Sequence, residues 1–134
     1  MTEAPVYAAE TDGVIVRVTV SYLPQQSEPP KRYVWAYQIE IENASQRTVQ
    51  LKRRHWIITD GLGRTEHVEG PGVVGEYPVI APGETYTYTS GCPLATDSGS
   101  MAGTYLMQAD GGETFEAAIP AFSLDLPVRR RTMN

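Results

Sequence analysis

The sequence predicts an all-β protein of seven or eight short antiparallel strands. No stretch repeats its apolar residues at helical spacing, whereas several segments alternate apolar and polar residues with the period of two that a half-buried strand shows. The pairs Asp60-Gly61, Pro82-Gly83 and Asp110-Gly111 mark turns between such segments. This strand number and turn spacing match a β-sandwich of immunoglobulin or fibronectin type III kind, with a closed barrel as the alternative.

The first two predicted strands show the clearest alternation. Val14 to Val20 places a valine at every second position. The polar, proline-rich segment Leu23 to Lys31 then predicts a surface connection, followed by a strand over Arg32 to Glu42 and a turn at Asn43 to Arg47. The apolar face of this second strand consists of Tyr33, Trp35, Tyr37, Ile39 and Ile41.

Two later strands change the parity of their apolar positions, which predicts β-bulges. In the third strand the apolar residues are odd-numbered at Val49 and Leu51 but even-numbered at Trp56. One extra residue must therefore enter the ladder within Lys52 to His55, and Trp56 should point into the core. The same change occurs around Pro120, whose missing N–H suits a bulge or an edge position.

The remaining strands are shorter, and both chain ends lack a pattern. The predicted strands are Arg64 to Glu69, Thr85 to Cys92, Gly103 to Ala109 and a last one from Phe115 to Leu126. The sequence therefore predicts a mobile N-terminus at residues 1–12, one sandwich domain at 13–126 and a mobile basic tail at 127–134.

Composition and charge exclude several classes of function. A net charge of −5 and a pI near 5.0 give no general attraction to nucleic acid or anionic lipid. A single cysteine, Cys92, excludes an internal disulfide, and the N-terminal segment lacks the features of a signal peptide, which favours a cytoplasmic protein. No apolar run approaches the roughly 20 residues that a membrane span needs, so we expect no membrane insertion.

Gly70, Gly72 and Gly75 have the Gly-x-Gly-x-x-Gly spacing of a nucleotide fingerprint. That fingerprint needs a following helix whose N–H groups face the phosphate, and the nearby Pro78 and Pro82 leave no room for one. The segment therefore predicts a glycine-rich β-loop. A backbone nest for a phosphate compound, built without a helix, remains the alternative.

Metal binding and catalysis find little support in the spacing of the candidate residues. The candidate ligands are His55, His67, Cys92, Asp60, Glu66, Glu69 and Glu76. They form no Cys-x-x-Cys or His-x-x-x-His pattern, so the sequence predicts no metal site and no bound cofactor. Nothing in the sequence places a cation or helix N-terminus beside Cys92, and no nucleophile elbow is present, so we expect no enzyme.

The densest positive cluster is Lys52, Arg53, Arg54 and His55, with Lys31 and Arg32 before it. Arginine binds carboxylate or phosphate well through two parallel hydrogen bonds. A solvated strand face, or a charged edge that resists pairing with another chain, is the structural alternative. The acidic total weighs against nucleic acid as the partner of this cluster.

Several motifs occur together in one order and carry a family resemblance. They are Val16-Arg-Val-x-Val20, Tyr37-x-Ile-x-Ile-x-Asn43, Trp56-Ile-Ile-x-Asp60, Arg64-Thr-Glu-x-Val-Glu-Gly70 and Gly70-x-Gly-Val-Val-Gly75. With these motifs, residues 13–126 resemble the bacterial ApaG family. The resemblance implies a fibronectin type III-like sandwich and supplies no catalytic residue. It also implies an indirect link to cobalt resistance and magnesium efflux, and similar eukaryotic domains look like protein-binding modules.

These observations favour a non-enzymatic, cytosolic module that binds another protein through surface loops. The candidate contact residues are Gly70, Gly72, Gly75, Glu76, Arg64, Arg53 and Arg54. The alternative is a small-ligand binder that takes a phosphate compound, such as pyrophosphate or a nucleotide, or a divalent cation through the loop Gly70 to Gly75. Unpaired strand edges also permit a homodimer.

Overall fold

The computed structural model describes residues 6–127, which form two antiparallel sheets packed face to face. The strands are β1 (Val6–Thr11), β2 (Val14–Tyr22), β3 (Tyr33–Asn43), β4 (Val49–Asp60), β5 (Thr65–Pro71), β6 (Val79–Ile80), β7 (Thr85–Leu94), β8 (Gly99–Ala109) and β9 (Thr114–Leu124). A single 3-10 turn, Pro24–Gln26, lies in the predicted surface connection. The predicted fold class is confirmed.

One sheet has the strand order β1-β2-β3-β7 and the other β5-β4-β8-β9, with the short β6 also pairing with β4. The edge strands β1 and β9 meet on one side of the sandwich, where the Ala118 amide donates a hydrogen bond of 3.0 Å to Thr11 Oγ1. The edge strands β7 and β5 therefore border the opposite side. That side holds the cavity described below.

Alternating residues of both sheets build the core. Its largest fully buried side chains are Trp35, Tyr105, Ile39, Ile41, Leu51, Ile80, Met101, Met107 and Leu124. Asn43 is the buried polar residue of the described region, and its Nδ2 donates to the carbonyl oxygens of Arg47 at 2.7 Å and Ile80 at 2.8 Å. These bonds satisfy the buried amide and attach the β3–β4 turn to β6.

Both predicted bulges are confirmed. The register between β4 and β8 shifts between Leu51 and Arg53, so Lys52 is the extra residue and Trp56, only 3 % exposed, points into the core. In the register between β8 and β9, Met101 pairs with Phe122 and Gly103 with Ile119, which leaves Pro120 and its neighbour opposite a single residue.

The N-terminal segment differs from the sequence prediction. Val6–Thr11, expected to be mobile, forms β1 and pairs with β2 through a two-residue turn in which Asp12 has φ 49° and Gly13 has φ 86°. Two positive φ angles give a type I′ turn, the geometry that Asp-Gly pairs favour in hairpins. With β1 and the two-residue β6, residues 6–127 hold nine strands, where the sequence predicted seven or eight. The expected mobility of residues 1–5 and 128–134 lies outside the described residues.

Residues 6–127 contain no helix that is long and apolar enough to cross a membrane.

Candidate binding site at the β5–β6 loop

We call residues 70–76 the glycine loop. Beyond β5, Val73 and Glu76 exchange two backbone hydrogen bonds of 2.9 and 2.8 Å. The two residues between them, Val74 and Gly75, have φ angles of 43° and 80°, so the loop tip is a type I′ turn. The next element is β6 and not a helix, as the sequence predicted.

The local structure explains why each of the three spaced residues is a glycine. Gly72 has φ 60°, and a Cβ on it would collide with the carbonyl group of Glu76. Gly75 supplies the second positive φ of the turn. Gly70 leaves room for an arginine, because a Cβ there would lie 3.0 Å from Nη2 of Arg54. Gly72 and Gly75 thus occupy the positive-φ region that glycine adopts most readily.

The amides of the glycine loop are mostly engaged within the protein. Gly72 N–H donates to the Lys52 carbonyl at 2.9 Å, and the amides of Val73 and Glu76 bond to each other's carbonyls. Val74 and Gly75 make no backbone hydrogen bond of this kind. A phosphate at the loop would thus find two adjacent amides rather than the longer run that a nest usually presents.

Arg54 lies between the sheets, unlike its neighbours in the predicted basic cluster. After the bulge, even-numbered residues of β4 face inward, so Arg54 is half-buried while Arg53 is exposed on the outer face. Nη1 of Arg54 donates to the carbonyl oxygens of Pro71 at 2.8 Å and Gly72 at 2.9 Å. Within residues 6–127, no carboxylate oxygen lies within 4.0 Å of its guanidinium. These two hydrogen bonds therefore attach the Arg54 side chain to the backbone of the glycine loop.

Arg64 lies apart from the other candidate residues. It precedes β5, whereas the glycine loop begins at the last two residues of that strand. Its Nε is 3.3 Å from Oδ2 of Asp60. Hydrogen bonds from the amides of Arg64 and Leu62 lower the pKa of Asp60. The structure thus brings the glycine loop and Arg54 together but places Arg64 in the β4–β5 turn.

A cavity of about 350 Å³ opens beside Arg54, between β4 and β5 on one sheet and β3 and β7 on the other. Its buried lining includes Tyr37, Trp56, Tyr88 and Met101. No local sequence pattern indicates this cavity, because its walls come from five strands, β3, β4, β5, β7 and β8, and from the glycine loop. The parity change in β4 was the available signal that Arg54 turns inward with Trp56.

Apart from Arg54, the titratable groups described here in the cavity region, Tyr88, Tyr105 and Cys92, are neutral at physiological pH. Burial raises the pKa of Tyr88 and of Tyr105, whose hydroxyl oxygens lie 2.5 Å apart in a hydrogen bond. Burial, with a smaller effect from Glu66, raises the pKa of the Cys92 thiol to about 11. The thiol is therefore protonated at pH 7, as expected for a structural cysteine.

His55 and His67 lie together, although they are twelve residues apart in sequence. They occupy neighbouring positions on β4 and β5, with Nε2 of His55 2.9 Å from Nδ1 of His67. No group of three His, Cys, Asp or Glu side chains suited to a metal ion occurs in the part of the chain that the structure describes. The pair therefore lacks a third protein ligand there.

Exposed apolar side chains concentrate in the glycine loop and directly after it. Val74, Tyr77 and Val79 expose 55 %, 49 % and 60 % of their surface, and we call these three residues the apolar lip. The other large hydrophobic residues exposed in the described region are Val6, Leu62 and Leu126. Half of this set thus falls within six consecutive positions.

Comparison with known proteins identifies the family. Residues 24–109 match the ApaG domain. The chain belongs to the ApaG family. It is 57 % identical over 129 residues to the Protein ApaG of Brucella anthropi, covering 96 % of this chain and 99 % of the relative. The Protein ApaG of Mesorhizobium japonicum gives the same identity and coverage.

A solved structure agrees with the ApaG fold seen here. The crystal structure of the putative ApaA protein from Bordetella pertussis superposes with a TM-score of 0.82 and 45 % sequence identity. The match covers 94 % of this chain and 98 % of the Bordetella chain. The resemblance inferred from the motifs is therefore confirmed at the level of family and fold.

Proposed function

We propose that this ApaG-family chain is a non-enzymatic, cytoplasmic module that binds another protein through the glycine loop and the apolar lip. The observation that carries the proposal is that three large exposed hydrophobic residues, Val74, Tyr77 and Val79, fall within six consecutive positions at and beside the glycine loop. Scattered surface hydrophobic residues are ordinary, but a group of them beside a shaped loop is typical of a contact surface.

The backbone conformation of Val74 is a second argument for this contact surface. A β-branched residue at φ 43° is strained, since its Cβ crowds the following carbonyl in the left-handed region. Such strain concentrates at functional positions, where the side chain is retained for a reason other than stability. An exposed valine at the tip of a type I′ turn is consistent with an anchor for a partner.

The chemistry of the described residues supports a binding role over catalysis. The Cys92 thiol is buried and protonated at pH 7, and the histidine pair lies on the outer face of β4 and β5. A nucleophile needs a base within hydrogen-bond reach, and no pairing of Cys92 with a histidine occurs among the hydrogen bonds of the described region. An effect on cobalt or magnesium would then pass through the partner.

Affinity capture from the native cytosol tests this proposal. The bait carries Val74→Asn and Tyr77→Ser together, and the matched control carries Leu62→Asn, which changes another exposed apolar side chain in a turn. We expect the wild type and the control to enrich the same protein, and the lip variant to retain roughly a tenth or less of it, as for loss of an interface hot spot.

Two results would contradict the proposal. Equal capture by the lip variant would show that the contact surface lies elsewhere. Absence of any protein enriched by the wild type over an unrelated β-sandwich bait would count against a binding module altogether. Far-ultraviolet circular dichroism of each bait confirms that it is folded before the comparison.

A further inference from the structure

The cavity beside Arg54 reaches from the core to the surface. Its deep lining, including Trp56 and Met101, is buried, whereas Gly91 and Pro93 at its border are exposed. A volume of about 350 Å³ is within the usual range for small-ligand pockets, roughly 300–1,000 Å³. At about 30 Å³ for each water-sized group, it has room for about a dozen non-hydrogen atoms.

Arg54 lines this cavity and has donors that no described residue uses. Its Nη1 is held by the carbonyl oxygens of Pro71 and Gly72, which fixes the plane of the guanidinium. Nε and Nη2 make no hydrogen bond with residues 6–127. Every fully buried side-chain nitrogen and oxygen in that range has a partner, so these two nitrogens are accessible. An accessible Nε–Nη2 edge is the edge that binds a carboxylate with two parallel hydrogen bonds.

The surroundings of Arg54 suit a ligand with at most one negative charge and an apolar body, because Glu66 already places a carboxylate near Cys92. The walls contributed by Trp56, Ile58 and Val68 are apolar. Tyr88 and Cys92 stay neutral at pH 7 because burial raises the pKa of each. A dianionic phosphate would keep an uncompensated charge in such a site, and that is costly away from water. A carboxylate matches the single guanidinium.

We propose that this cavity binds a small organic acid in which one carboxylate is attached to an apolar or aromatic group. The carboxylate pairs with Nε and Nη2 of Arg54, and the apolar group lies against Trp56 and Met101. This site differs from the apolar lip, so the inference does not depend on the proposed protein-binding function. Val74 of the apolar lip also lines the cavity.

Titration followed by amide chemical shifts tests the proposal. The probe is 3-phenylpropionate, a monoanion of suitable size, and the matched control ligand is the neutral 3-phenylpropanamide. We expect saturable shifts at Gly70, Gly91 and the Trp56 indole with a dissociation constant on the order of 1 mM, and at least tenfold weaker binding of the amide. Equal binding of the amide, or shifts confined to other surfaces, would overturn the proposal.

Two variants and one control variant test whether Arg54 supplies the positive charge that binds the carboxylate. Arg54→Gln should weaken binding of 3-phenylpropionate at least tenfold, while Arg53→Gln, on the outer face of the same strand, should leave it unchanged. Gly70→Ala keeps the charge but displaces the guanidinium, because its Cβ would lie 3.0 to 3.2 Å from the guanidinium atoms. It should weaken binding as well. Equal loss in the Arg53 variant would overturn the assignment to Arg54.

Two further probes separate the proposed ligand from related anions. Phenyl phosphate should bind more weakly than 3-phenylpropionate at pH 7.5, where it is mostly dianionic. Tighter binding of phenyl phosphate would overturn the choice of carboxylate. A tripeptide acid, acetyl-Gly-Gly-Phe, should bind no better than 3-phenylpropionate. If only the peptide bound, the source would be a protein C-terminus and the small-acid proposal would be wrong.

Discussion

Replacing Val74 by asparagine should stabilise the protein, although it removes an apolar side chain. Val74 has φ 43° and is 55 % exposed, so the valine is strained and its packing contribution is small. The left-handed conformation costs an ordinary residue roughly 1–2 kcal/mol, and asparagine adopts it more readily than other side chains. After allowing for the lost contact with the cavity border, we expect about 1 kcal/mol of added stability.

Urea unfolding and thermal melting measure this effect. A gain of about 1 kcal/mol raises the melting temperature of a domain of this size by about 3 °C and raises the urea midpoint at an unchanged slope. The matched control is Val79→Asn. Val79 is exposed to a similar extent but lies in β6, where asparagine is disfavoured, so this change should be neutral or destabilising.

A comparison of the two variants can refute the claim that Val74 is strained. If Val74→Asn destabilises the protein as much as Val79→Asn does, the turn is not strained at Val74. The inference that this valine is kept for a partner would then lose its physical basis. A rise in stability together with loss of the captured partner would show that stability and binding oppose each other at this position.

Three further outcomes follow from the structure. Tyr88→Phe and Tyr105→Phe should each lower the free energy of unfolding, measured in urea, by roughly 1–2 kcal/mol. The double variant should lower it by less than the sum, since it leaves no buried hydroxyl unpaired, and additive effects would contradict this. Gly72→Ala should destabilise more than Gly75→Ala, because both have positive φ but only position 72 lacks space for a Cβ; equal costs would refute the clash. The pKa of Asp60 is lower in the folded state than in the unfolded state. Its contribution to stability is therefore present above the unfolded-state pKa and is lost as the pH falls through the folded-state pKa. Asp60→Asn should reduce the loss of stability at acid pH, and an unchanged acid dependence would show that Asp60 contributes nothing to it.

The sequence was sufficient to predict the fold because the strongest strands are half-buried and alternate cleanly. The parity change between Leu51 and Trp56 predicted a bulge to within four residues, and Lys52 provides it. β1 was missed since its alternation uses small residues such as Ala8 and Ala9. Its signal was the Asp12-Gly13 pair, which favours a type I′ hairpin turn.

The candidate site was predictable only in part. The glycine spacing correctly indicated a β-loop, because proline chemistry excludes a helix locally. The inward direction of Arg54 follows from the bulge together with the inward Trp56, yet it had been grouped with Arg53 as surface charge. The contact of His55 with His67 depends on the register of β4 with β5, in which Thr59 pairs with Thr65. The turn is centred on Leu62, so the predicted turn at Asp60-Gly61 would have given a different register. The cavity depends on how two sheets pack, which no local pattern encodes.

Site-specific photo-crosslinking in the native cell tests the central claim most directly. A photoreactive phenylalanine analogue replaces Tyr77 in the apolar lip, and in a separate strain replaces Leu62, which is 69 % exposed in the β4–β5 turn. We expect a discrete crosslinked species of one partner protein from position 77 and none from position 62. The absence of a crosslink at position 77, or the same partner captured from position 62 alone, would contradict the claim that the glycine loop and the apolar lip form the contact surface.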